Sequence, residues 1–318
     1  MPGVNLGDLV ATTLRNVSKT IADNVTNDNG FLRHLNDKGN LKKSVSGGRE
    51  IDEAIMYGTN SSVQFYDGYD AFTPPTDQQV IDLATYNWKQ LGGFIAISGK
   101  ESMQNRNKEQ RFDFVETRKK HLEASMMNTF ATSLYSDGTG SAGKELGGLR
   151  LLVADDPTAA GTVGGINQVT NTFWRNQYSA AAATSSTTIQ GRMNSMSLAT
   201  RRGADSTDLI LADDTMYTYY WESLQANQRF VGDSFGDAGG DEFLRYKKAK
   251  VIYDDQCPDK HMYFLNSKYI FFKYAEGRWF DVGSKRTIQN ADYDVVPLFV
   301  MGNLTCSNRA RQGVIIAS

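Results

Sequence analysis

The chain has 318 residues, 40% of them hydrophobic and 22% charged, with a net charge of −2. That balance fits an ordered protein of about two domains, at roughly 150 residues each. It argues against a dedicated nucleic-acid binder, whose affinity comes largely from clustered lysine and arginine. No apolar run approaches the ~20 residues that span a bilayer, and the start, MPGVNLGDLVATTLRNV, lacks the basic and apolar regions of a signal peptide.

Residues 1–50 read as a polar arm. Within it, Leu9, Leu14, Val17 and Ile21 fall on one side of an amphipathic helix over 8–25. The rest holds too few large apolar residues to form a core alone. Residues 51–100 read as a long β excursion: Ile51 to Tyr57 leads out and Val80 to Leu91 leads back. Its tip carries Phe65, Tyr66, Tyr69 and Phe72 among Gly68, Pro74 and Pro75. Such a hairpin either folds onto its own domain or reaches a neighbouring subunit that covers the aromatics.

The spacing predicts a helix over 107–135, with Phe112, Val115, Leu122, Met126, Phe130 and Leu134 near one stripe. Uninterrupted by Gly or Pro, it would run roughly 40 Å, long for one globular domain. The stretch after it, LYSDGTGSAGKELGG, opens like a phosphate-binding loop, with Gly138, Gly143 and Lys144 at the required spacing. Glu145 stands where that motif needs Ser or Thr, and the loop follows a helix rather than a strand. The glycines therefore read as a helix stop and turn, and LGGLRLLV at 146–153 as the next strand or loop.

Residues 154–186 read mostly as loop, with Thr172–Asn176 (TFWRN) as an aromatic anchor and a Ser/Ala/Thr tract over 179–188. A second α/β region follows: a helix over 189–202, a strand over 208–211 and a helix over 213–228 that Asp213 can cap. The Gly/Asp stretch 231–241 reads as a loop whose spacing is not that of a calcium hand. Residues 243–318 are β-rich, with strands expected over 250–253, 262–265, 269–272, 295–301 and 314–316.

No catalytic pattern stands out. There is no H-E-x-x-H pair and no G-x-G-x-x-G after a strand. Ser206, His261 and Asp213 are triad residues by type alone, and the acid pairs sit beside turns, where aspartates cap and bend the chain. His34, His121 and His261 show no metal spacing; His261 follows Asp254, Asp255, Cys257 and Asp259, a polar turn between strands. Cys257 and Cys306 lie far apart without C-x-x-C spacing, which fits a reducing compartment. No catalytic residue, cofactor or metal is expected.

The strings FYDGYD (65–70), YNWKQ (86–90), ISGKESMQN (97–105), LYSDGTGS (134–141), FWRN (173–176) and NLTCSNRARQG (303–313), in that order, look like one branch of tailed-bacteriophage major capsid proteins. The whole sequence of elements, over roughly 30–318, resembles that family, whose fold is shared by herpesvirus shells and encapsulins. The resemblance implies an α+β capsid fold: an N-terminal arm (1–45), an extended β-hairpin loop with flanking strands (46–100), a spine helix in a peripheral domain (101–145), an α/β axial domain (146–240) and C-terminal strands returning to the peripheral domain (241–318). It implies a shell protein in the virion, not an enzyme, assembled in the host cytoplasm from pentamers and hexamers around double-stranded DNA. The expected contacts between subunits are Phe65, Tyr66, Tyr69, Phe72, Trp88, Trp174 and Arg175. The expected partners are further copies of the chain, a separate scaffolding protein, a portal, a decoration protein and packaged DNA held without sequence preference; no membrane is involved. An encapsulin-like compartment is the alternative, and a nucleotide-binding enzyme using 138–144 the more distant one.

Overall fold

The computed structural model describes residues 29–44, 48–58, 60, 62–71, 80–104, 108–225, 244–287 and 292–318, with the side chains of 43, 44, 102–116 and 225 outside that description. The expected arm helix at 8–25, the loop at 231–241, Phe72, and the side chains of Phe112 and Val115 therefore lie outside the described residues.

A first sheet is built around one long strand. β15 (Tyr293–Cys306) pairs antiparallel along its length with β4 (Lys89–Ser98). On its other side it pairs with β12 (Ile270–Ala275), β13 (Asp281–Val282) and β14 (Arg286–Thr287), and β1 (Leu41–Ser44) joins β12 in parallel. Helix α1 (Gly30–Asp37), capped by the Asn29 side chain accepting from Leu32 N, buries Phe31, Leu32 and Leu35 beside this sheet. A six-residue helix α2 (Gly99–Gln104) follows β4.

The predicted long helix is present as α3 (Lys108–Ser133), whose 26 residues span roughly 39 Å at 1.5 Å each. Among its described side chains, Met126 and Phe130 are buried. Phe130 meets Phe272, Trp279 and Phe280 edge-on, with ring centroids 5.5 to 5.8 Å apart. The helix lies so close to β4 that a Cβ on Gly93 would stand 2.5 Å from Leu122 Cδ1. A side chain at 93 would require the Leu122 side chain to shift.

The second sheet has the order β7 (Gln177–Ala182), β16 (Gly313–Ala317), β11 (His261–Leu265), β8 (Leu209–Ala212), β10 (Ala249–Tyr253) and β9 (Leu244–Tyr246). Every residue of β8 is buried, and its two faces serve different cores. Ile210 and Ala212 pack with Ile189, Met193, Met196, Met216 and Tyr220 of helices α5 (Ile189–Thr200) and α6 (Asp214–Gln225). Leu209 and Leu211 face the larger core that includes Phe31, Leu35 and Phe130. The period-two alternation of a strand thus joins the two halves of the molecule. Asp213 caps α6 as expected, its Oδ1 accepting from Met216 N at 3.0 Å.

Two expectations change. The C-terminal strands do not all return to the first sheet: β9, β10, β11 and β16 complete the second sheet around β8, and only β12 to β15 return. The expected strand or loop at 146–153 contains the one-turn helix α4 (Leu149–Leu152), because Leu149 and Leu152 at i and i+3 are both buried. The stretch 154–186, mostly loop as expected, also holds the edge strand β7 and a small hairpin, β5 (Thr162–Val163) with β6 (Ile166–Asn167).

Candidate inter-subunit surface

Strands β2 (Glu50–Met56) and β3 (Ile81–Asn87) pair antiparallel in the register Ile51↔Tyr86 to Met56↔Ile81, forming a two-stranded ribbon. One face is docked on the body. Ile51, Ile55, Ala84 and Tyr86 are buried there, and Tyr86 donates its hydroxyl hydrogen to Cys306 O at 2.9 Å. Burial, reinforced by the neighbouring Cys306, pushes the Tyr86 hydroxyl far above the usual tyrosine range, so it stays protonated and a donor. On the same face, Glu53 takes Lys273 Nζ at 2.8 Å and the Thr305 hydroxyl at 2.7 Å. The β5–β6 turn closes over the edge of the ribbon: Thr85 N donates to Gly164 O at 3.0 Å. Gly164 adopts φ +60, and a Cβ there would stand 2.9 Å from Ala84 Cβ, so the turn requires glycine. Tyr57 stacks on Phe173 at 4.2 Å and 7°.

Among the described residues, the other face has no cover. Met56 (80% exposed) and Ile81 are cross-strand neighbours, and the exposed Leu83 lies opposite Ala54. Beyond them, the described part of the tip carries Phe65 (106%), Tyr66 and Tyr69 (107%) in the open. A turn holds the tip in shape: Asp67 N donates to Asp70 Oδ2 and Gly68 N to Asp67 Oδ1, both at 2.9 Å. Covering each large apolar side chain is worth about 1.5–3 kcal/mol. The ribbon is thus docked on one side, and at the tip-proximal end of its other side Met56, Ile81 and Leu83 are exposed.

A second constellation lies beneath. Arg309 is fully buried, and its guanidinium donates to Leu152 O (2.6 Å), Gln168 Oε1 (3.2 Å), Trp174 O (3.2 Å) and Asn176 Oδ1 (3.1 Å). Burial lowers its pKa to about 10, which leaves it charged at neutral pH. Trp174 donates its indole N–H to Val163 O at 2.9 Å, and its ring lies 5.9 Å from the Arg309 Cζ. FWRN and the C-terminal NRARQG string, read separately in the sequence, thus meet in one knot.

In the glycine loop four amides are already engaged: Gly138 N with Ser136 Oγ, Thr139 N with Asp137 Oδ1, Gly143 N with Thr139 O and Lys144 N with Ser141 O. Nor does the triad by type assemble. His261 Nε2 faces Asp155, while Asp213 is occupied by Met216 N and Lys260 N. Among the described residues no group of three or more His, Cys, Asp or Glu side chains could hold a metal ion.

No family model matches the sequence, and no curated protein matches it. Solved structures do match in shape. The capsid asymmetric unit of cyanophage A-1(L) aligns with a TM-score of 0.63 at 16% identity, covering 87% of this chain and 90% of that one. The capsid of an empty GTA particle aligns at 0.58 and 11% identity, covering 88% and 95%. The chain has the tailed-phage capsid fold. A related likeness, at 0.50 and 11% identity over 87% and 84% of the chains, is to the SrpI encapsulin complex from Synechococcus elongatus PCC 7942.

Within this capsid fold the expected contact residues separate into two groups. Phe65, Tyr66 and Tyr69 stand exposed on the ribbon tip. Trp174, at 1% exposure, is spent inside the subunit and cannot offer its ring to a neighbour, a correction caused by the Val163 bond and the Arg309 knot. Arg175 clamps the adjacent loop through Gln168 O and Val169 O, both at 2.7 Å, and Trp88 donates to Gly48 O at 2.9 Å. Sequence reasoning missed the outward patch Met56, Ile81 and Leu83, although strict alternation with Ile51, Ile55, Ala84 and Tyr86 would have marked it as a second apolar face.

Proposed function

We propose that this chain is the major capsid protein of a tailed phage, whose copies join as pentamers and hexamers of an icosahedral shell around double-stranded DNA. The observation that carries the reading is the ribbon: one face fixed to the body by Tyr86, Glu53 and the Gly164 turn, the other face and tip apolar and open. In a shell each such ribbon lies over a neighbouring copy, and many modest contacts add through multivalency. The capsid fold over nearly nine-tenths of the chain supports the same reading. The role is structural, in the virion; a scaffolding protein, a portal and a decoration protein are the expected partners during assembly in the host cytoplasm. An encapsulin-like compartment is the second reading, favoured by the likeness to the SrpI complex, whose TM-score of 0.50 is lower than the cyanophage capsid's 0.63.

The double variant Phe65→Ala with Tyr69→Ala tests this. Both rings are open in the subunit, so its circular dichroism and unfolding midpoint stay at wild-type values. Loss of two rings removes about 3–6 kcal/mol per ribbon contact, at 1.5–3 kcal/mol each, and closed particles disappear from sedimentation profiles. Wild-type yields of closed particles from the variant would contradict the assignment of the tip as a contact.

A further inference from the structure

The segment Leu149–Asp156 carries the chain from the long helix toward the second sheet. Leu149 N is tied back to Leu134 O at 2.7 Å, just beyond α3. On its other side, Asp155 Oδ1 lies 3.3 Å from Nε2 of His261, the first residue of β11. The His261 side chain is 12% exposed. Its Nδ1 lies 2.6 Å from the backbone carbonyl of Asp259. A carbonyl only accepts, so Nδ1 carries a hydrogen. A neutral imidazole has one N–H, so neutral His261 would turn an Nε2 lone pair toward the Asp155 carboxylate. Among the described residues neither Nε2 nor Oδ1 has an aligned hydrogen bond, to each other or to any further group; the two meet as a charge contact only. Protonation removes this conflict and makes an ion pair in its place.

We propose that Asp155 and His261 form a pH-sensitive lock, adding a tie between the Asp155 end of the 149–156 segment and the second sheet while His261 is protonated and losing that tie when the proton leaves, with Leu152 still held by Arg309 and Ala154 by Asn176. Arg150 also pairs with Asp155, Nε to Oδ2 at 3.4 Å, but it belongs to the same segment and does not tie that segment to the sheet. The surroundings of the imidazole contain few other charges. The Tyr263 ring stacks beside it at 6.0 Å, and its buried hydroxyl has no hydrogen-bond partner. Cys257 Sγ approaches His261 O at 3.7 Å, and burial pushes that thiol far up, so it stays neutral. Tyr135, near Tyr263, gives its hydroxyl hydrogen to Asp254 from the α3 side. From the end of β8, Asp213 accepts from Lys260 N, the amide next to the histidine.

The sign follows from the competing causes. Burial acts to lower the His261 pKa, but Asp155 and the Asp259 carbonyl outweigh it and raise the group above its ordinary value. Burial acts to raise the Asp155 pKa, but His261 and Arg150 outweigh it and lower the group. A raised histidine contributes fully below its unfolded value of about 6.5 and loses that contribution as pH rises through the folded value. A lowered aspartate contributes above its unfolded value of about 3.9 and loses it as pH falls through its folded value. The lock is therefore engaged between the lowered Asp155 value and the raised His261 value, and opens as pH rises through the latter. It does not depend on the shell reading.

Deuterium exchange at the histidine C2 position, followed by mass spectrometry on the full chain, reports the His261 titration in subunit or particle alike. His261 is expected to titrate above about 6.5, with a downward shift in Asp155→Asn. Backbone exchange of 149–156, corrected for its intrinsic pH dependence, is expected to show protection falling between about pH 6 and about pH 8.5 in the wild type, a window around the free-histidine value, and unchanged across it in Asp155→Asn and His261→Gln. A wild-type His261 titrating at or below the ordinary value overturns the lock without any variant. The same protection loss in wild type and variants overturns it too.

Discussion

Replacing Arg309 by methionine removes a charge buried without a carboxylate partner, and the structure sets the scale of the loss. The guanidinium serves four neutral acceptors: Leu152 O, Gln168 Oε1, Trp174 O and Asn176 Oδ1. Methionine fills much of the volume and removes the cost of burying a cation, which by itself stabilises. Leu152 O, Gln168 Oε1 and Trp174 O lose this donor, however, and a buried unpaired acceptor costs about 1–3 kcal/mol. Asn176 keeps its bond from Ala154 N and Gln168 its donation to Ala159 O, so local relaxation is limited to part of the knot. The balance is a loss of about 4 kcal/mol out of the 5–15 kcal/mol typical of a folded domain. Arg309→Lys keeps the charge but presents its donors from one point, so it reaches fewer of the acceptors and costs about 2 kcal/mol. Urea unfolding of the isolated subunit, followed by tryptophan fluorescence, reads both values, with unchanged slope confirming that the unfolded reference is the same. Arg309→Met within about 1 kcal/mol of wild type would refute the claim that these bonds hold the Trp174 loop to the C-terminal strand.

Two further predictions follow from the ribbon and the glycine loop. A double-mutant cycle of Tyr57→Ala and Phe173→Ala should give a coupling of about 0.5–1.5 kcal/mol in subunit stability, since the rings stack at 4.2 Å; additive single effects would show that the stack holds nothing. ATP titrated calorimetrically into wild type and into Lys144→Ala should give no saturable heat in either, because four of the loop amides already have acceptors and Glu145 stands where the motif needs Ser or Thr. Saturable binding abolished by the variant would revive the nucleotide reading.

What the sequence reveals depends on how local the cause is. The long helix is legible because its apolar stripe recurs without a Gly or Pro break, and it appears at Lys108–Ser133. The Asp213 cap is legible because an N-cap acts three residues away. The ribbon strands are legible from alternation, and so is the aromatic tip. The division of the C-terminal strands is not, because His261–Leu265 pairs with Leu209–Ala212 and Gly313–Ala317 across some 50 residues each, and nothing local to β11 names its neighbours. Trp174 failed for the same reason. One tryptophan in a polar loop reads equally as a surface anchor or a core plug, and Arg309, which lies 3.2 Å from its carbonyl, is 135 positions away. The His261 environment was read as a polar turn, and it is one, but its partner Asp155 comes from another part of the chain.

The central claim is that copies of this chain close into a shell through the exposed ribbon. Electron microscopy of the purified protein, expressed alone and with candidate scaffolding genes, tests it most directly. The account predicts uniform closed particles, or rings of five and six subunits, that vanish in the Phe65→Ala, Tyr69→Ala variant. A folded monomer or dimer under every condition would contradict it.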